Sequence, residues 1–85
     1  MKIDYSHSFK KEYKKLSLKL HNQLRERLLL FLENQFNPLL NNHAVHYPYE
    51  GCRSINITGD LRALYETDND RFIFVHIGTH IELYK

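Results

Sequence analysis

The stretch from Gly51 to Tyr84 constrains the fold more than any other part of the chain. Ile55 and Ile57 alternate with Ser54, Asn56 and Thr58, the two-residue period of a strand with one buried face. Thr58-Gly59-Asp60 reads as a tight turn, with Gly59 free to take a positive φ. Leu61 to Glu66 then predicts a second strand, and Asp68-Asn69-Asp70 a second hairpin turn. Phe72 to Ile77 is apolar on both faces, as an interior strand would be, and Gly78 ends it. Three strands joined by such short turns pair as antiparallel neighbours, and the buried face they share needs a partner layer.

The N-terminal half supplies that layer. Lys2 to Tyr5 predicts a short edge strand, and Ser6 or Ser8 caps the helix that follows. Phe9, Tyr13 and Leu16 recur at helical spacing among Lys10, Lys11, Lys14 and Lys15. Ser17 offers a second cap, and Leu20, Leu24, Leu28, Phe31 and Leu32 form the stripe of a longer helix. That helix ends near Asn34 to Asn37, because Pro38 cannot continue it and restricts the residue before it. Two helices joined so closely predict an antiparallel hairpin. Leu39 to Glu50, polar and containing Pro48, reads as a loop. The expected fold is α+β: an N-terminal strand and a helical hairpin packed on a small antiparallel sheet, as one domain over residues 1–85. One sheet face packs on the helices through Ile55 and Ile57. The other is partly open, with Ser54 and Asn56 pointing into it.

Composition narrows the function classes. A chain of 85 residues buries only about 60 per cent of its unfolded surface, so six Tyr, five Phe and the many Leu and Ile must make a compact core. The single Cys52 excludes an internal disulfide and fits a reducing compartment. The longest unbroken apolar run is Leu28 to Leu32, whereas a membrane-spanning helix needs about 20 residues. The N-terminus has no signal-peptide stretch, so a soluble, cytoplasmic protein without a membrane partner is expected. Residues 1–40 hold eight Lys/Arg against four Asp/Glu, while residues 41–85 hold four against six and four of the six His. The basic half offers a face for a polyanion such as RNA. A solvated lysine face on ordinary helices explains the same charges.

The chain resembles the RelE/ParE superfamily of bacterial type II toxins, and within it the YafQ-like branch of ribosome-dependent mRNA interferases. The matching pieces are Phe9-Lys10-Lys11, Asn37-Pro38-Leu39-Leu40-Asn41-Asn42-His43, Gly51-Cys52-Arg53-Ser54, Thr58-Gly59-Asp60-Leu61-Arg62-Ala63, Gly78-Thr79-His80 and Leu83-Tyr84. They run in order through nearly the whole chain. The resemblance implies that His43 is a loop histidine involved in cleavage and that Asp60 is an active-site acid. It makes His80 the histidine of the Gly-Thr-His motif, Tyr84 an aromatic that holds mRNA, and Arg62 a phosphate-binding arginine. It also implies a ribosome, mRNA and a cognate antitoxin of the ribbon-helix-helix type as partners. Asn56 stands where some YafQ-type enzymes have a further His, so that residue's role does not transfer. Tyr and Pro after His43 replace the small glycine turn often found there.

The residue types suit cleavage of RNA, which carries its own nucleophile. The 2′-OH must lose a proton, the phosphoryl oxygens must be stabilised, and the leaving 5′-oxygen must be protonated. His80 and Asp60 are candidates to share the acid/base work, with His43 assisting or holding substrate. Arg62 and Arg53 would face the phosphate, and Tyr84 would stack on a base. Each has a bland alternative. His80 could bond a carbonyl at a strand end, and Asp60 is a common turn residue. Arg62 could be a surface strand residue, Arg53 an ion-pair partner and Tyr84 a core aromatic. His7, His21 and His46 read as surface residues, and Cys52 as a small buried one. His43-x-x-His46 and His76-x-x-x-His80 have ligand-like spacing. Residues four apart on a strand are about 13 Å apart, however, too far to share a zinc unless Gly78 bends the chain. No metal or cofactor is expected. The rival functions are a ParE-like toxin that binds DNA gyrase and an inactive, partner-binding relative.

Overall fold

The structure is a computed structural model that describes residues 2–84. The elements in chain order are β1 (Lys2–Tyr5), α1 (His7–Lys14), α2 (Leu18–Glu33), a 3-10 turn (Pro38–Leu40), β2 (His43–Ala44), β3 (Arg53–Asn56), β4 (Leu61–Asp68), β5 (Arg71–Thr79) and α3 (His80–Leu83). The strands form one sheet in the order β1-β5-β4-β3-β2. β2 to β5 pair antiparallel, but β1 lies parallel to β5, with Ile3 opposite Phe72 and Tyr5 opposite Phe74. The sheet is therefore mixed rather than wholly antiparallel. The expected α+β architecture stands, with its predicted N-terminal edge strand and three hairpin-linked strands.

Local chemistry sets the element ends. Ser6 Oγ accepts from the Phe9 amide and Ser17 Oγ from the Leu20 amide, capping α1 and α2. α2 stops at Glu33, before Pro38. The expected loop contains more order than its polarity indicates: a 3-10 turn entered at Pro38, with Asn37 Oδ1 accepting from Leu39, and the two-residue strand β2. The Thr58–Asp60 turn needs no positive φ at Gly59. Thr58 Oγ1 instead accepts from the amides of Asp60 and Leu61. Positive φ occurs at Gly51, Asn41 and Asn69. Asn69 sits in the β4–β5 turn, where a short amide side chain tolerates the left-handed region.

The helix-side core joins Phe9, Leu24 and Phe31 to Ile55, Ile57, Leu61, Ala63, Tyr65, Phe72, Phe74 and Ile77. Phe31 is its centre, edge-on to Tyr65, Phe72 and Phe74 with ring centroids 4.7–5.4 Å away. Leu32, expected in the buried stripe, is 52% exposed, because the core-facing row passes through Leu24 and Phe31 and leaves it on the flank. A smaller cluster lies on the other face, where Val45, Cys52, Leu64 and Leu83 pack with Tyr49, Val75 and Tyr84. That face is therefore covered at one corner, and Ser54, expected to open into it, is buried. Cys52 is buried as expected. Burial first, and the Glu66 carboxylate second, push its thiol up, so it stays protonated.

Phe31→Ala removes the ring on which three other aromatics converge, and is expected to cost about 3–5 kcal/mol. Urea unfolding checks this. A loss below about 1 kcal/mol would show that Phe31 does not centre the core.

Candidate functional site

Cross-strand partners in a sheet share a face. His43 is opposite Ser54, Ser54 opposite Leu64, and Leu64 opposite His76. Two residues along, Asn56 is opposite Arg62 and Arg62 opposite Gly78. These two rows make up the face turned away from α2, and α3 packs on it through Leu83. Asp60 precedes Leu61, and His80 follows Thr79, the partner of Leu61. Asp60 and His80 therefore project from the same end of the β4–β5 ladder, beside the Arg62 row.

The Gly-Thr-His motif has a structural explanation at each position. A Cβ on Gly78 would stand 3.3 Å from Glu82 Oε1 and 3.4 Å from Glu82 Cβ, so glycine lets α3 fold back closely on the strand. Thr79 is the N-cap in a reciprocal capping box: its hydroxyl accepts from Glu82 N at 3.2 Å, and Glu82 Oε1 accepts from Thr79 N at 2.8 Å. His80 is the first residue of α3 and is exposed. Its ring lies 4.8 Å from that of Tyr84, which meets Tyr49 at 5.5 Å. The Tyr49 hydroxyl donates to the Leu83 carbonyl, and burial, ahead of nearby Glu12, keeps that phenol protonated. Tyr49 thus ties the 45–52 segment to α3 and holds Tyr84 under His80.

The other sequence-predicted residues fall in different places. The Asp60 side chain is exposed and has no hydrogen bond or ion pair among the described residues. Arg62 is half-buried, and its guanidinium donates to the Thr58 carbonyl at 3.0 Å, which steadies it beside the turn. His43 is exposed on the edge strand, roughly 12 Å from Arg62 by strand spacing. Its Nδ1 is 2.7 Å from the Asn41 carbonyl. A carbonyl only accepts, so Nδ1 carries the proton and Nε2 is free to take one.

Arg53 does not join the group. It is opposite Tyr65, on the helix side of the sheet. There its Nε donates to Asn42 Oδ1 at 2.7 Å, and its guanidinium lies 5.5 Å from the Phe36 ring centroid. Asn42 in turn donates to the Tyr65 hydroxyl. Lys10, Lys11 and Lys14 are on α1 and Lys19 on α2. Asn56 lies within the face, and its Oδ1 is the one buried side-chain polar atom without a hydrogen-bond partner among the described residues. Among those residues no cluster of three or more His, Cys, Asp or Glu is placed to hold a metal ion. None of their helices is long and apolar enough to cross a membrane.

His76 carries no role in the sequence reading beyond its metal-like spacing, yet it belongs to this face. Its ring meets Tyr49 at 5.3 Å, and its Nδ1 lies 3.2 Å from Glu12 Oε2. No periodicity in β5 could have indicated this, since Phe72, Phe74 and His76 share one sequence parity.

Tyr49→Phe leaves the Leu83 carbonyl without its donor, a loss of about 1–2 kcal/mol. The amide of Tyr84, bonded to His80 O at 3.0 Å, is expected to exchange its hydrogen roughly tenfold faster. Unchanged exchange would show that Tyr49 does not hold α3.

The sequence model of a family described as "Bacterial toxin of type II toxin-antitoxin system, YafQ" matches residues 1–85. Among solved structures, YafQ from E. coli strain BL21(DE3) is 25% identical with a TM-score of 0.80, covering 98% of this chain and 97% of that one. The E. coli DinJ-YafQ complex contains a chain 26% identical with a TM-score of 0.78, at 98% and 97% coverage. A YoeB/ParE toxin from Agrobacterium tumefaciens, 16% identical, shares the fold with a TM-score of 0.78 over 94% of this chain and 99% of that one. No curated protein sequence matches.

Proposed function

Because the chain belongs to the YafQ family of type II toxin–antitoxin toxins, we propose that it is a ribosome-dependent endoribonuclease that cleaves mRNA. One observation carries this reading. An acid and an imidazole, Asp60 and His80, project from the same end of the sheet, exposed and without ion-pair partners among the described residues, next to Arg62.

In the proposed reaction the 2′-OH loses its proton to one member of the Asp60–His80 pair. The 2′-oxygen attacks phosphorus, and the other member protonates the departing 5′-oxygen. The products are a 2′,3′-cyclic phosphate and a 5′-hydroxyl end. Arg62 balances charge on the phosphoryl oxygens, and Tyr84 offers a ring face to a base. His43, with Nε2 free, holds the strand farther along the face. No step calls on a metal or cofactor. A domain this small has little surface for selecting sequence, so the ribosome presents the mRNA in fixed geometry. The work belongs in the cytoplasm, where ribosomes translate.

The E. coli relative is found with DinJ. By analogy, a cognate antitoxin of the ribbon-helix-helix type silences this chain with a segment that folds as it binds. An open apolar groove of about 580 Å³ between β1, α1 and α2 suits an acidic amphipathic segment. Tyr5, Phe9, Leu24 and Leu28 line it, with Lys10, Lys14 and Arg25 beside them.

Induced expression followed by mapping of mRNA 5′ ends tests the reading. Codon-phased cuts are expected from the wild type and not from His80→Ala, with a rate loss of roughly 100-fold or more. Intact mRNA with chromosomal DNA breakage would replace this reading with gyrase binding. Intact mRNA and DNA together would point to an inactive relative.

A further inference from the structure

Glu12 and His76 form a carboxylate–imidazole pair on the face that carries Arg62. Glu12 Oε1 and Oε2 lie 3.3 and 3.2 Å from His76 Nδ1, and Oε1 also accepts from the Ile77 amide at 3.1 Å. An ionised carboxylate only accepts, so Nδ1 carries the proton and Nε2 of the neutral ring is left with its lone pair. The ring is held on a second side by Tyr49, which leads through Tyr84 to His80 in an unbroken series of ring contacts. The side chains of His76 and Glu12 remain 30% and 33% exposed, so the imidazole is within reach of a bound strand. Capping the Ile77 amide, which β1 leaves unpaired by ending at Tyr5, needs only one carboxylate oxygen. The contact with the ring is additional to that role.

We propose that His76 is a third working imidazole of this face, taking a proton or hydrogen bond from an RNA hydroxyl through Nε2, and that Glu12 is the positioning residue that fixes its tautomer. The inference rests on the nuclease reading. It adds to Asp60, His80 and His43 a residue on a different strand, and a carboxylate from α1 that touches no substrate.

Glu12→Gln separates orientation from folding. The amide oxygen can still accept from Ile77, but the amide nitrogen now donates to Nδ1, which moves the ring proton to Nε2. Ring ¹⁵N shifts of the full-length chain are expected to report Nδ1–H in the wild type and Nε2–H in Glu12→Gln. Ribosome-dependent mRNA cleavage is expected to fall at least roughly tenfold in kcat, with KM within about twofold because the contact with RNA acts on proton position rather than on docking. An unchanged tautomer, or unchanged kcat once the tautomer has moved, would overturn the inference and leave the nuclease reading intact. A wild-type chain that does not cut would overturn both.

Discussion

The antiparallel ladder between β4 and β5, from Leu61 opposite Thr79 to Asp68 opposite Arg71, supports every other part of this molecule. It is the longest pairing in the sheet, and β1 and β3 add to its two sides. Its helix-side rings, Tyr65, Phe72 and Phe74, surround Phe31, and Ala63 belongs to the same core. Asp60 and His80 flank the ladder's Leu61–Thr79 end. A register slip of one residue would turn the aromatic core to solvent and separate these two groups. The same hydrogen bonds therefore define both the core and the site.

A bulge at Leu64/Tyr65 exchanges the parity of the two faces along β5. Before it, the even residues Phe72 and Phe74 face the helices. After it, odd Ile77 does so, while Val75 packs with Leu64 on the opposite side. Unbroken alternation would have driven His76 into the core beside Phe74. The extra residue moves it to the open face. The apolar character of both faces of Phe72–Ile77 is the trace of this change in parity, which from the sequence reads only as an interior strand.

Much else was legible. The serine caps, the stop at Pro38 and the alternation of Ile55 and Ile57 follow from chemistry that acts within a few residues. β2 was not, because two residues carry no period and their pairing is fixed by a distant strand. The parallel placement of β1 was not legible either, since nothing in Lys2–Tyr5 names its neighbour. For the candidate site, Asp60 and His80 flank the Leu61–Thr79 pair, Arg62 is one residue further along β4, His80 meets Tyr84, and His43 lies at the edge of the same face. Arg53 has the parity of Ile55 and Ile57, which already assigns it to the helix side, where Asn42 and Phe36 occupy it. Glu12 is separated from His76 by 64 residues, and no local pattern joins them.

Asp60 and His80 acting on one phosphodiester is the central claim, and a double-mutant cycle on ribosome-dependent cleavage tests it directly. Asp60→Asn, His80→Ala and the double variant are compared with the wild type. Groups that serve the same proton transfers lose most of their effect together, so the double variant is expected to be no more than about threefold slower than the slower single one. Two losses that multiply in full, or a single variant that cuts at the wild-type rate, would contradict it.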